Sequence, residues 1–319
     1  MGDNTGIQWT QRPGTIGATW NATVGCSLES PGCSNCYAMP VAAWLERMWH
    51  ADHSEPDVAH KRGKYNGLTM QTKNGPVWNG VVRLDESALT LPLRQTKPRT
   101  YFVNSMSDLW HPALALRDIA KVYAVMALAK EHTFQVLTKR PERMAKSIAD
   151  PAFVDMVETL MDELAPEHWC RRELDDVGGW PLNNVWHGTS CEDQARLVER
   201  LPWLAQTPSV VRFISFEPLL GLIDYKRAVA ATRIDTRAIH WGIIGGESGP
   251  RARDCALEWI ALLIEDLDFL DTAVFVKQLG ARPTFNRQPI QLKDKKGGDM
   301  REWLKEFQRR EFPDVKVAA

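Results

Sequence analysis

The sequence predicts an α/β protein organised as a (β/α) barrel, whole or partial, in one domain over residues 1–319. Three observations carry that expectation. Apolar runs alternate with helical periodicity, the pattern of βαβ units and a parallel sheet. Polar residues gather just after each run, as they do at the C-terminal face of a barrel, where the ends of separate strands meet. No Gly-x-Gly-x-x-Gly opens a helix after any run, which argues against a dinucleotide-binding sheet.

Thr19 to Val24 reads as the first strand, followed by a cysteine loop and a helix from Val41 to Trp49 with Pro40 in its first turn. Residues 51–98 are irregular and read as an insertion, with a short strand at Val81 to Leu84 and a short helix at Glu86 to Arg94. Thr100 to Asn104 is the second strand, and Leu116, Ile119, Tyr123, Met126 and Lys130 mark one helical face behind it. Thr133 to Thr138 is the third strand, with helix between Pro141 and Met161. After a second insertion at 165–183, Asn184 to Thr189 is the fourth strand and Glu192 to Leu204 its helix. Val210 to Ser215, Ile239 to Ile244 and Ala273 to Lys277 are the fifth, sixth and seventh strands, and Ala256 to Leu270 is the helix between the last two. A C-terminal extension begins at about 281.

Composition adds bounds. Hydrophobic content of 44% and charged content of 25% are those of an ordinary globular chain. A net charge of −1 makes no global electrostatic case for nucleic acid or membrane. No apolar run reaches membrane-spanning length, and Met1 to Gly6 lacks the basic start and apolar core of a secretory signal. The expectation is a reducing cytoplasmic location, which disfavours disulfides.

Three of the six cysteines, Cys26, Cys33 and Cys36, lie within eleven residues as C-x6-C-x2-C. Pro31-Gly32 and Ser34-Asn35 let the backbone curl and bring thiols inward. A structural zinc or an iron–sulfur cluster normally takes four ligands. Three local thiols therefore imply either a distant fourth ligand or one open metal position. A Cys3His zinc knuckle, or a disulfide with a spare thiol, are the plainer alternatives. Cys170, Cys191 and Cys255 stand singly and read as small buried residues, with Cys191 the only candidate for a distant ligand.

The polar strand ends are Asn104, Ser105, Ser107 and Asp108; Thr138, Lys139 and Arg140; Ser190, Glu192 and Asp193; Glu217-Pro218; Gly245 to Arg251; and Lys277-Gln278. Each has a plain reading: Ser190 or Asp193 as a helix cap, Glu192 as a dipole partner, Gly245-Gly246 as a tight turn. Together around one cysteine loop they read as a site.

A three-cysteine loop after the first strand of a (β/α) barrel resembles the radical S-adenosylmethionine (SAM) superfamily, although that superfamily's usual spacing is C-x3-C-x2-C. More closely, the chain resembles a phage- and prophage-associated family of unknown function with a three-cysteine motif. The match rests on Trp20-Asn21, Gly25 to Tyr37, Asn104 to Asp108, Leu137 to Pro141, Gly188-Thr189-Ser190, Ser215 to Leu219, Gly245 to Arg253, Lys277-Gln278, Lys296 to Asp299 and Arg310 to Pro313.

The resemblance implies a barrel of radical SAM type, with a [4Fe–4S] cluster on Cys26, Cys33 and Cys36. S-adenosyl-L-methionine would bind the fourth iron, and an external electron donor would drive its cleavage to a 5′-deoxyadenosyl radical that abstracts hydrogen from a substrate. Asn104 and Ser105 would then bond the methionine amino group, Lys139 or Arg140 its carboxylate, and Ser190 and Glu217 the ribose hydroxyls or the amino group. Tyr37 is a further cofactor contact. Asp108, Glu247, Arg251 and Arg253 are substrate candidates; the two arginines suit an anion such as the phosphate of a nucleotide or of DNA. The basic C-terminal stretch, from Lys293 to Arg310, is interspersed with acids and reads as a solvated face. Two other classes stand beside this reading. One is a non-catalytic iron–sulfur or zinc protein that binds nucleic acid. The other is a metal-dependent hydrolase barrel using Asp108, His111, Glu217 and Glu247, without the His spacing such sites usually show.

Overall fold

A computed structural model describes residues 2–3, 5–52, 63–165 and 174–314. Seven strands form one parallel sheet in chain order: β1 (Ile16–Trp20), β2 (Arg99–Val103), β3 (Thr133–Thr138), β4 (Val185–Ser190), β5 (Val211–Phe216), β6 (Trp241–Gly245) and β7 (Ala273–Gln278). The helices of eight residues or more among the described residues are α1 (Ala38–Asp52), α2 (Leu116–Leu128), α3 (Pro141–Ile148), α4 (Pro151–Leu164), α5 (Gln194–Gln206), α6 (Tyr225–Thr232) and α7 (Leu257–Phe269). None of the described helices is long and apolar enough to cross a membrane.

Period-two alternation divides the strand side chains. Phe134, Val136, Ile214, Phe216, Ile244, Val274 and Val276 join the larger core beneath the helices. Trp186, Phe213, Trp241 and Phe275 point the other way and pack around Trp9. The Trp9 ring lies 4.6 Å from Phe102 on β2, 6.1 Å from Phe213 on β5 and 6.3 Å from Trp241 on β6. On a flat sheet β2 and β6 would be about 19 Å apart, at about 4.8 Å per step. One indole can meet both only because the sheet curls. The result is a half-barrel with its hollow filled by aromatic rings at one end.

The curl does not close: β1 and β7 are the first and last of the parallel strands. Gly2–Asp3 pairs antiparallel with β1. Across the sheet, Arg310 bridges antiparallel to Phe275 on β7, and Glu311 donates its N–H to the Val274 carbonyl at 2.9 Å. Both edges are thus covered by terminal segments, which blocks strand addition there.

Several boundaries differ from the sequence expectation. The first strand ends at Trp20, because the Asn21 side chain leaves the ladder to accept from Ser105 Oγ and Met106 N–H. Thr23–Val24 pairs instead with Arg83–Leu84. The helical run after β3 is two helices, since Asp150 caps α4 through the Ala152 N–H and Pro151 opens it. Helix α6 was not anticipated; Asp224 caps it through the Arg227 N–H. The expected helix from Glu86 is α-helical only over Glu86–Leu89, with a 3₁₀ turn at Pro92–Arg94. The first insertion contains a hairpin of Thr69–Thr72 and Gly75–Trp78. Residues 166–173 of the second insertion, with Cys170, lie outside the described residues.

His187 on β4 is buried on the helix side, between Tyr123 Oη and Ser209 Oγ, each at 2.8 Å. Ser209 donates its proton to the Val211 carbonyl, so Nδ1 of His187 is the protonated nitrogen and Nε2 accepts from Tyr123. Burial pushes this imidazole down to about 3. A ring held neutral in the fold stabilises it fully above the unfolded value near 6.5, and that contribution is lost as pH falls toward 3. Stability should therefore be level at neutral pH and drop by roughly 2–3 kcal/mol by pH 4.5 from this residue alone. Urea unfolding at pH 7.5, 6 and 4.5 checks this; an unchanged midpoint would contradict the buried neutral ring.

Candidate cysteine-loop site

The inward side chains at the strand C-termini, together with the cysteine loop, line a cavity of about 580 Å³. Cys26, Cys33, Cys36 and Tyr37 form one side, and Ile7, Trp9, Phe102 and Leu137 are apolar lining. Asn104, Ser105 and Asp108 enter after β2, Lys139 and Arg140 after β3, Ser190 and Glu217 from the ends of β4 and β5, and Glu247 and Lys277 from those of β6 and β7. Twelve of the fourteen predicted site residues therefore share this cavity. Arg251 and Arg253 are not among its lining residues.

Three carboxylate–arginine pairs hold the loop. After β2 and β3, Arg140 Nη1 donates to Asp108 at 2.7 Å, while its Nη2 reaches Ser27 Oγ at 2.9 Å and Glu29 at 3.0 Å. After β4, fully buried Glu192 pairs with Arg200 at 3.2 Å and accepts the Gly32 N–H at 2.9 Å. After β6, Glu247 pairs with Arg253 at 2.6 Å and accepts from Asn35 Nδ2 at 3.2 Å, and Arg253 also donates to the Pro31 carbonyl at 3.0 Å. The anchors at 27 and 29, at 31 and 32, and at 35 interleave with the thiols at 26, 33 and 36. A Cβ at Gly32 would lie 3.0 Å from the Glu192 carboxyl carbon, so any side chain there would push the carboxylate back by a few tenths of an ångström.

These pairs change the reading of several residues. Asp108 accepts from Thr138 Oγ1 and the Lys139 N–H as well as Arg140, so it is a clamp. Arg140 is fully engaged by that clamp. Arg253 and Glu247 bind one another, and Arg251 turns away to donate to the Asn74 carbonyl in the hairpin at 2.6 Å. The expected two-arginine anion loop is thus replaced by a clamp and a tie to the hairpin. His111 donates from Nε2 to Ser27 Oγ at 2.8 Å, since its Nδ1 accepts the Ala113 N–H. Burial and the neighbouring Arg140 push its imidazole down to about 4. The four groups suggested for a hydrolase metal, Asp108, His111, Glu217 and Glu247, are each held by another partner.

The groups left for a ligand are fewer. Asn104 sits at φ 59° with Oδ1 taken by the Thr23 N–H, and its buried Nδ2 has no hydrogen-bond partner. The Lys139 ammonium makes no hydrogen bond or ion pair among the described residues. Glu217 pairs with Lys277 at 3.1 Å across Gly245, where a Cβ would lie 2.3 Å from the Glu217 oxygen. Ser105 is partly engaged: its carbonyl accepts from Tyr37 Oη at 2.6 Å and its Oγ donates to Asn21.

The three loop thiols are free of disulfides and partly accessible. Burial pushes the Cys26 thiol up to about 12, with Asp108 adding to it. Burial also raises Cys36, while the Ala38 and Met39 N–H groups at the start of α1 pull it back. Thiols of this kind ligate only when a cation supplies the compensating charge. The donor set therefore fits a metal centre with soft ligands. Among the described residues no group of three or more His, Cys, Asp or Glu stands in metal-holding geometry. Cys191 is not a distant ligand in this arrangement: one residue past Ser190, it points into the helix-side core, its Sγ 3.8 Å from the Arg196 carbonyl. Cys255 is buried in the same core.

A family model described as "Protein of unknown function (DUF5131)" matches residues 4–310. No curated protein and no solved structure matches the chain.

Proposed function

The chain belongs to that uncharacterised family, whose model spans nearly all of it, and on that footing we propose that it is a radical SAM enzyme. The observation that supports this reading is the clamped loop: three unpaired thiols, anchored between by three carboxylate–arginine pairs, at the C-terminal mouth of a curled parallel sheet. Cys26, Cys33 and Cys36 would hold a [4Fe–4S] cluster with one iron open to SAM. When bound, the pair supplies one-electron cleavage of the sulfonium and hydrogen abstraction from a substrate, with an external donor providing the electron.

The remaining work belongs to the chain. Lys139, whose ammonium has no ion pair among the described residues, binds the methionine carboxylate, as a charged donor does best. Asn104 has only donor hydrogens to offer, because its oxygen is taken. It therefore suits a carboxylate or ribose oxygen, not the amino group expected from its position after β2. Ser190 and Glu217 reach ribose hydroxyls. Trp9, Phe102 and Leu137 form an apolar lining that keeps water from the reacting groups.

The test is anaerobic. Protein reconstituted with iron and sulfide should turn brown, and SAM with dithionite should yield 5′-deoxyadenosine. A colourless protein holding one tight zinc would overturn the proposal in favour of a binding module.

A further inference from the structure

A second groove, about 470 Å³, lies on the other side of the Asp108–Arg140 clamp. It shares Lys139 and Arg140 with the cysteine cavity, so the two adjoin at that clamp. Five cations line it against three carboxylates; two of the five, Arg140 and Arg200, are paired from outside the groove by Asp108 and Glu192. The carboxylates are all taken: Glu29 by Arg140, Glu142 by Lys146 and Glu199 by Arg196. Among the cations, Lys139 makes no hydrogen bond or ion pair among the described residues. Arg143 has no carboxylate among the described residues; it donates to the carbonyls of Trp110, His111 and Leu114. Arg200, 2% exposed, leaves its Nε without a partner. Helix α3 opens into the groove at Pro141, adding the positive end of its dipole. Half-buried Trp203 completes the wall, its indole 5.1 Å from the Lys146 ammonium.

Unneutralised cations, a helix N-terminus and an accessible indole are the parts of a site for a phosphate joined to a planar base. We infer that this groove binds one nucleotide unit of the substrate. Its phosphate lies by Arg143 at the start of α3 and its base against Trp203, and the adjoining part of the substrate passes the Asp108–Arg140 clamp toward the cysteine cavity. The inference names the substrate class of the proposed enzyme and rests on that reading for the chemistry, but not for the binding.

The experiment uses the full chain without cluster. Fluorescence anisotropy follows a fluorescein-labelled single-stranded DNA dodecamer, with dAMP as competitor. Saturable binding that weakens with salt is expected, and Trp203→Ala and Lys146→Glu should each weaken it about tenfold. Both side chains are partly exposed, and an unchanged thermal melt shows that the variants fold. Competition by dAMP near the dodecamer's own affinity identifies a free nucleotide as the ligand; binding of the dodecamer alone identifies a strand. No saturable binding of either probe, or variants that bind as the parent does, overturns the inference. Intact nucleotide binding, with no 5′-deoxyadenosine formed by the iron- and sulfide-reconstituted protein, would instead remove the radical SAM reading and leave the groove.

Discussion

Replacement of Cys26, Cys33 or Cys36 by Ala should abolish cluster binding and 5′-deoxyadenosine formation while the protein stays folded. Each thiol is one of only three on the loop, and neither remaining pair can hold the cluster. None of the three belongs to the large core beneath the helices; Cys26 and Cys36 only flank a small cluster around Met39, Leu68 and Trp78. Removing the sulfur should cost at most about 1 kcal/mol, the centre of the usual mutational range. Cys191→Ala and Cys255→Ala are the counterpart. Both residues are fully buried in the core, so stability should fall by a similar amount, about 1 kcal/mol, with iron content unchanged. Iron per chain and circular dichroism melts on the five variants decide the matter. Loss of iron from Cys191→Ala would mean a fourth protein ligand and no open position.

The second large effect is expected at Glu192. Its carboxylate and Arg200 are both shut away from water, with side-chain exposures of 0% and 3%. Removing one member of such a pair leaves an uncompensated buried charge, and the cost is about 3–5 kcal/mol. Glu192→Ala should therefore be among the most destabilising single changes, and it also frees the Gly32 N–H. Glu192→Gln keeps an acceptor for Gly32 but does not neutralise Arg200, so it should fall between parent and Ala. Urea midpoints give the ranking, and the EPR spectrum of reconstituted protein reads whether the loop has moved. Equal stability of all three proteins would show that the clamp does not carry the loop.

Strand runs were legible because apolar β-rich stretches at a parallel sheet's centre need no long-range information to be seen. Helix α6 was not, since Tyr225–Thr232 is short and its cap, Asp224, gives no signal before its partner face is known. The site was legible as a set: position after a strand end brings Asn104, Lys139, Ser190 and Glu217 into one cavity whatever their roles. Individual roles were not. Asp108, Arg140, Glu247 and Arg253 look like ligand-binding groups in one dimension, and only their mutual distances show them holding the loop. Glu192 and Arg200 stand eight positions apart, the first just before the cap of α5 and the second inside it. Nothing local says that the pair meets Gly32.

The clamps also set an order of events during biosynthesis. Gly32 and Glu192 are 160 positions apart, Asn35 and Glu247 are 212 apart, and Pro31 and Arg253 are 222 apart. At about 5–20 residues per second, the ribosome delivers Arg253 on the order of ten seconds or more after the cysteines leave the tunnel. Through that interval the loop gains its anchors one by one, from Arg140, then Glu192, and last Glu247 and Arg253. The cradle exists only once β6 and its loop have joined the sheet. Under the proposed function, loading of a cluster on these thiols would therefore be a late step, after Arg253 has been made.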